Sequence, residues 1–478
     1  MFCGLDLGTT NINALLVDAQ GSVVARSSSP VSINHTAGGG VEQDIDEIWS
    51  ATISALKGLG SPDQRAAVRA VGISSQGGAM QITDAAGKAV GPVISWLDGR
   101  AGEYNQQLTD RLGREWFVQH VGHACSNLCL GQLLRLQDES PALLAGSNRI
   151  GFVGDVIVSR LAGRAAHDAT SLSIAWLYNP SLRDADPEAL KLVGVSADQL
   201  PALLPVGEAA GGLLESVAGE TGLPADVPIS AAVHDQYAAA LGSGSVHVGD
   251  VMFGAGTAWV LLATTDRLAP PVTDSAFVCT HVIDGLYGQM LSMVNGGSAF
   301  AWAVDVLGLS DKTGDELDAM MADVPAGCQG LRCRPTLASG AGAEAGGGRL
   351  DGLRLSHTPV HVLRAVAEGL ACEFARYLGF LTAAGLPVSR LVMTGGAAAS
   401  SVTPQILADA TGLPLTCCTE TDTSAFGAAV IATGLVETET NLATISERLA
   451  PGAKQFQPGG DRAVYGPIVE AYIAGRGE

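Results

Sequence analysis

Basic residues are scarce in this chain. Lysine and arginine number 27 against 48 aspartates and glutamates, a formal net charge of −21. A surface so short of cations is a poor partner for nucleic acid or an anionic membrane, which are bound chiefly through lysine and arginine. Phosphate binding is not excluded. Backbone N–H groups, hydroxyls and a divalent cation can hold a nucleotide with few basic side chains. Also missing is an uninterrupted apolar stretch long enough to span a bilayer. The start, Met1-Phe2-Cys3-Gly4-Leu5-Asp6, lacks the basic and apolar regions of a secretory signal. The nine cysteines are scattered and odd in number, which reads as a reducing cytoplasm. His120, His123, Cys125 and Cys129 lie near one another without standard zinc spacing, which favours incidental histidines in a small-residue segment over a metal site. The G-x-x-x-x-G-K-[ST] of Walker-type NTPases occurs nowhere.

What is present is a core-rich composition. Hydrophobic residues make up 47% and charged residues 16% of 478, with a mean hydropathy of +0.26. That composition belongs to a compact globular protein, and the length favours two or more domains. The 61 glycines follow no triplet period and suggest many tight turns and close backbone approaches.

The first 27 residues read as three strands, with Asp6-Leu7-Gly8-Thr9-Thr10 and Gln20-Gly21 at the turns. Residues 44–58 show helical spacing. Residues 68–74 and 92–96 read as buried strands, and 103–145 as largely helical. The opening pattern then recurs. Val251-Met252-Phe253 leads through Gly254-Ala255-Gly256-Thr257 into a strand over 258–264, and Leu391-Val392-Met393 runs into Thr394-Gly395-Gly396 before a helix over 404–411. Strands followed by strand–helix alternation imply a mixed sheet flanked by helices. The recurrence implies a duplicated architecture divided near residue 245.

Five constellations carry chemistry. In the first, Gly8 allows close backbone approach to a phosphate, Thr9 and Thr10 supply donors, and Asp6 at the strand end can hold Mg²⁺ directly or through water. Alone this reads more readily as an ordinary hairpin turn. In the second, Gly256 and Thr257 repeat the arrangement, so that two such turns could grip a polyphosphate from both sides of a cleft. The third is Asp235, where a strand over 227–233 gives way to an alanine-rich helix. It suits a base accepting a substrate proton, but local sequence alone favours a helix N-cap. The fourth joins Gln76, Gly77 and Gly78 to Trp96, Asp98 and Arg100. These offer amide, indole, carboxylate and guanidinium to a polyhydroxylated ligand, or else form a surface turn with an Asp98–Arg100 ion pair. The fifth, Gly395, Gly396 and Ser400, can lie flat against adenine and ribose, or simply enter a helix.

The order of these pieces resembles the FGGY family of carbohydrate kinases, within the actin-like ATPase superfamily. The series runs from Gly4-Leu5-Asp6-Leu7-Gly8-Thr9-Thr10 through Gly72-Ile73-Ser74-Ser75-Gln76, Ser95-Trp96-Leu97-Asp98-Gly99-Arg100, His167-Asp168-Ala169-Thr170, His234-Asp235-Gln236 and Gly256-Thr257. It continues through Arg364-Ala365-Val366-Ala367-Glu368-Gly369 and Thr394-Gly395-Gly396 to Ala425-Phe426-Gly427-Ala428-Ala429, and covers roughly residues 1–435. The resemblance implies an α/β fold of two actin-like (ribonuclease H-like) domains with mixed sheets flanked by helices and a cleft between them. The sugar-binding domain would span 1–245 and the nucleotide-binding domain 246–478. It implies ATP and Mg²⁺, with Asp6 and Asp235 at the metal and Asp235 as catalytic base. Thr9, Thr10, Gly256 and Thr257 would lie at the phosphates, and Gly395, Gly396 and Ser400 at adenosine. Gln76, Gly77, Trp96, Asp98 and Arg100 would line the sugar. The implied reaction is phosphorylation of a small ketose, a pentulose such as xylulose, with a fuculose-like deoxyhexulose or a polyol as rivals. A catalytically silent sensor of sugar or nucleotide is the alternative of a different class. The expected partner is a small-molecule sugar substrate, with no nucleic acid and no membrane, and a homodimer is the oligomer allowed for. Three departures stand out. Asn13 replaces the family's usual Lys or Arg, Gly77-Gly78 replaces the Met-His usual in xylulose kinases, and a Gly/Ala-rich run occupies 340–348.

Overall fold

The computed structural model describes residues 1–337 and 347–476; most of the Gly/Ala-rich run at 340–348 lies outside them. The chain divides into two compact units. The first comprises Met1–Val246, Asp266–Gly288 and Asp422–Pro451, and the second His247–Thr265, Gln289–Thr421 and Gly452–Glu478. A single cut near 245 therefore misassigns two segments, since 266–288 and 422–451 pack with the first unit.

The first unit is built on a mixed sheet. Strand β1 (Phe2–Leu7) pairs antiparallel with β2 (Asn11–Val17), and β2 with β3 (Val23–Pro30). On its other side β1 runs parallel to β4 (Val71–Ser75), which runs parallel to β5 (Pro228–His234). Strands β1, β2, β4 and β5 are largely buried because helices cover both faces, whereas β3, at the sheet edge, alternates half-buried and exposed positions. Helix α1 (Ile45–Lys57) starts at Asp44, whose side chain accepts from the Asp46 N–H, and turns Ile45, Ile48, Ile53 and Leu56 into the core with Leu5, Ile12, Leu16 and Ile73. The stretch 103–145 is helical over Gly102–Val121, interrupted at Gly113 (φ 75°, ψ 164°), and over Cys129–Glu139. Gly122, at φ 74°, ends the first. The strand expected over 92–96 shortens to Val93–Ile94.

Helix α2 (Asp235–Gly242) follows β5 directly. Helix α3 (Thr423–Val436) lies against β1, β4 and α2. Its backbone comes so close that a Cβ at Gly4 would fall 1.8 Å from the Ala425 carbonyl oxygen, at Gly72 1.8 Å from that of Ala428, and at Gly427 1.7 Å from that of Ala238. No side chain fits at such distances, so these glycines are what lets the distant segment dock.

The second unit repeats the arrangement. Strand β6 (Asp250–Ala255) forms a hairpin with β7 (Trp259–Thr265) and runs parallel to β8 (Arg390–Thr394). Asp6 pairs with Ser74 in the first unit as Gly254 pairs with Thr394 in the second. The expected duplication is thus present at the level of register. Among the described residues no helix is long and apolar enough to cross a membrane, and all nine cysteines are free thiols.

Candidate active site

In the first unit, β1, β4 and β5 end side by side and deliver Asp6, Gln76 and Asp235 to one edge of the sheet. Ser74 Oγ donates to Asp6 Oδ1 at 2.7 Å. Burial, then the neighbouring charges of Asp235 and Asp422, push the Asp6 carboxyl up to about 7 against the pull of that hydrogen bond. Burial likewise raises Asp235 to about 6, although some 30% of its side chain is open. His234, not Asp235, holds the N-cap position, and it makes no side-chain capping bond. Asp235 is the first residue inside the helix. The capping role that sequence alone allowed it is therefore not the one it plays, and its place in the first turn favours the ionised form.

The junction is held by a buried chain of hydrogen bonds. Thr170 Oγ1 accepts from the His234 N–H at 3.0 Å and donates to Asp168 Oδ1 at 2.7 Å. Burial pushes Asp168 up to about 6 and holds the His234 imidazole neutral, its pKa lowered to about 4.

The Gln76 loop forms a second chain. Thr9 Oγ1 donates to Gln76 Oε1 at 3.1 Å and accepts from Trp96 Nε1 at 3.1 Å. Gln76 Nε2 donates to Gln43 Oε1 at 3.1 Å, and Gln43 Nε2 to the Thr9 carbonyl at 2.9 Å. The Thr9 hydroxyl, expected at a phosphate, thus joins the Gln76 and Trp96 side chains. Thr10 is exposed, and its hydroxyl accepts from Asn11 Nδ2. The Trp96 indole is 44% exposed, presenting an aromatic face. Asn13, in the place of a cation, accepts from Ser28 Oγ at 2.7 Å.

Asp98 departs from its expected role at the sugar. Its side chain is fully enclosed. It accepts from the Val41 N–H, from the Arg100 N–H and guanidinium, and from Gln132 Nε2. Burial opposes its charge, but those donors outweigh it and hold the carboxyl below the usual range. Arg100 also pairs with Glu42 at 2.8 Å. The pair is a staple that fixes the Trp96 loop, because a carboxylate so fully used has no lone pair left for a sugar.

The second unit carries a cavity of about 520 Å³ beside the β6–β7 turn. Its walls include Trp259, Phe300, Leu317 and Leu370, with Gly256, Thr257, Gly396 and Ser400 at its edge. The N–H groups of Gly297 and Ser298 donate to the Gly256 and Thr257 carbonyls at 2.9 Å each, seating a helix (Gly297–Val306) against the turn. A Cβ at Gly396 would meet nothing within 4 Å, whereas Gly395 adopts φ 83° against the Ala255 backbone. Ser400 is not a free donor. Its Oγ donates to Asp318 Oδ1 at 2.8 Å and accepts from the Val402 and Thr403 N–H groups, opening a helix (Thr403–Thr411). Asp318, Phe300 and Trp259 had no local motif to reveal them. They come from three separate stretches and meet only in the folded unit.

The histidine–cysteine segment is structural. His120 Nδ1 faces Asp186 at 3.1 Å. His123 is buried against Trp176, between the Ser173 carbonyl and the Val278 N–H. Among the described residues no three potential metal-ligating side chains cluster.

Two α/β units with the same hairpin-and-parallel-strand core, one carrying a part-open carboxylate at a strand–helix junction and the other an apolar pocket of nucleotide size, define an actin-like phosphoryl-transfer enzyme. Family comparison makes this specific. The N-terminal domain of the FGGY family of carbohydrate kinases matches residues 1–242, and its C-terminal domain matches 251–434. The chain belongs to the FGGY family and is an ATP-dependent carbohydrate kinase. It is 28% identical to the xylulose kinase of Escherichia coli K12 over 99% of this chain and 98% of that one. It is 27% identical to an L-fuculokinase of Salmonella typhi over 89% and 90%, and 31% identical to a glycerol kinase of Gloeobacter violaceus over 90% and 86%. The crystal structure of xylulose kinase from Rhodospirillum rubrum superposes with a TM-score of 0.91 at 25% identity, covering 100% of this chain and 98% of that one.

Proposed function

We propose that this kinase transfers the terminal phosphoryl group of ATP to a hydroxyl of a ketose of pentulose size, xylulose-like, in the cytoplasm, with Asp235 as general base. The observation that carries the reading is Asp235 itself. It is a carboxylate at the end of the sheet, three-tenths open, raised to about 6 and still mostly ionised at neutral pH. Such a group orients an acceptor hydroxyl and takes its proton as the bond to phosphorus forms. Trp96 offers an aromatic face to the sugar, and the buried Gln76 amide, tied to it through Thr9 and bonded to Gln43, fixes the loop beneath rather than reaching the sugar itself. The Asp98–Arg100 staple holds that loop in place. Adenosine lies in the pocket of Phe300, Leu317 and Gly396, with phosphates at Gly256 and Thr257.

The carboxylates of Asp6 and Asp235 fit a magnesium ion. The charge of Asp235 raises the cost of ionising Asp6, a repulsion a cation relieves, and Mg²⁺ characteristically takes one or two carboxylates with waters and substrate phosphates. When bound, it neutralises charge on the transferring phosphate.

Full-length similarity to xylulose kinase favours a pentulose, and the fuculokinase relatives make a deoxyhexulose the nearest rival. A panel of xylulose, ribulose, fuculose, glycerol and aldoses, assayed with ATP and Mg²⁺, decides. The highest kcat/KM is expected on a pentulose. Activity confined to glycerol or aldoses overturns the ketose reading, and binding without turnover would identify a sensor.

A further inference from the structure

Residue 77 has to be glycine because of His234. A Cβ at Gly77 would fall 2.2 Å from His234 Cδ2 and 2.5 Å from Nε2. The imidazole therefore fills the volume that a side chain at 77 would take. Gly77 does not leave an empty pocket. The ring is firmly held. The residue is 5% exposed, its backbone N–H donates to Thr170 Oγ1, and its ring meets Tyr237 edge-on at 6.1 Å, with His281 5.4 Å beyond Tyr237. Nδ1 is buried without a partner, while Nε2 lies 3.4 Å from Asp235 Oδ1. Buried acceptors are left unpaired more readily than buried N–H donors. The proton accordingly belongs on Nε2, the nitrogen beside the base.

We propose that His234 is the specificity-determining residue of the acceptor site, its Nε2–H reading the sugar hydroxyl next to the one whose proton Asp235 accepts. This rests on the assignment of Asp235 as base. Neighbouring hydroxyl oxygens of a sugar are separated by about as much as Nε2 and Oδ1. One hydroxyl can thus meet the carboxylate while the other meets the imidazole. Gly77 is the complement that makes room for the ring, and the two positions act as one unit.

The test is kinetic. Product analysis of the wild type identifies the phosphorylated carbon. Then kcat and KM are measured for the best acceptor and for analogues lacking each flanking hydroxyl. A site built around a hydroxyl rejects the analogue that lacks it, here by on the order of 100-fold or more in kcat/KM. His234→Phe keeps the bulk and removes the donor. It should bring the parent sugar down towards the deoxy analogue and leave the analogue within about threefold. His234→Asn, which retains a donor, should recover part of the loss. Gly77→Ala displaces the ring and should mimic His234→Phe, yet add little when combined with His234→Ala. Equal loss on parent and analogue in His234→Phe, or losses at 77 and 234 that multiply, overturn the proposal. If His234→Phe does not fold, the Gly77→Ala and His234→Asn ratios decide by the same criterion. An Asp235→Asn variant with full activity would refute the assignment of the base instead.

Discussion

Asp235 was readable in the sequence as a strand-end carboxylate, but its alternative as a helix cap was resolved only by the structure, which puts His234 at the N-cap. Asp235→Asn should therefore leave thermal melting near wild type and lower kcat by about 10²–10⁴-fold, with a smaller change in sugar KM. A folded variant with near wild-type kcat would remove Asp235 from the mechanism. Other buried residues report on stability rather than catalysis. His123 is enclosed beside Trp176 and Phe277, and burial lowers its pKa from 6.5 to about 4 although the Ser173 carbonyl pulls the other way. Between those values the unfolded chain binds a proton that the folded chain does not. The stability associated with neutral His123 is whole above about pH 6.5 and is lost as pH falls towards 4. His123→Gln should flatten this acid slope in urea midpoints taken at pH 7, 6 and 5, even where it lowers stability overall. An unchanged slope would place the acid sensitivity elsewhere.

At the scale of elements, the hairpins and parallel strands followed from apolar runs and Gly/Thr turns, and the Asp44-started helix from its spacing. The helix Thr423–Val436 is the instructive case. Its sequence is small and apolar all round, a pattern that reads as buried without saying against what. The answer lies in Gly4, Gly72, Gly242 and Gly427, where backbone meets backbone. Gly427→Ala should cost at least about 1–3 kcal/mol, because the methyl group meets a main-chain carbonyl that cannot rotate away. Chemical denaturation would measure it, and a neutral result would mean that the helix can shift outward.

Across the whole molecule, the proposed function assigns acceptor and nucleotide to different units, and ligand-induced stabilisation should separate them. Gly396 faces open space, so Gly396→Val should fold normally, fill the pocket and raise the ATP KM on the order of tenfold, a loss of about 1.4 kcal/mol. Its thermal shift with nucleotide should shrink accordingly, whereas Asp235→Asn should keep the full shift. A Gly396→Val protein with wild-type ATP KM would move the nucleotide elsewhere.

By itself the sequence determined the family, the duplicated α/β architecture, the acidic strand ends and the glycine turns. Each is written in a short contiguous stretch, where periodicity and turn chemistry act locally. Only the tertiary structure decided the rest. It returned residues 266–288 and 422–451 to the first unit, enclosed Asp98 as a staple, set Ser400 on Asp318, and put the His234 ring where residue 77 has no side chain. These outcomes depend on which volumes are already filled and which lone pairs are already taken by residues remote in the chain. That is a property of packing, which no local pattern records.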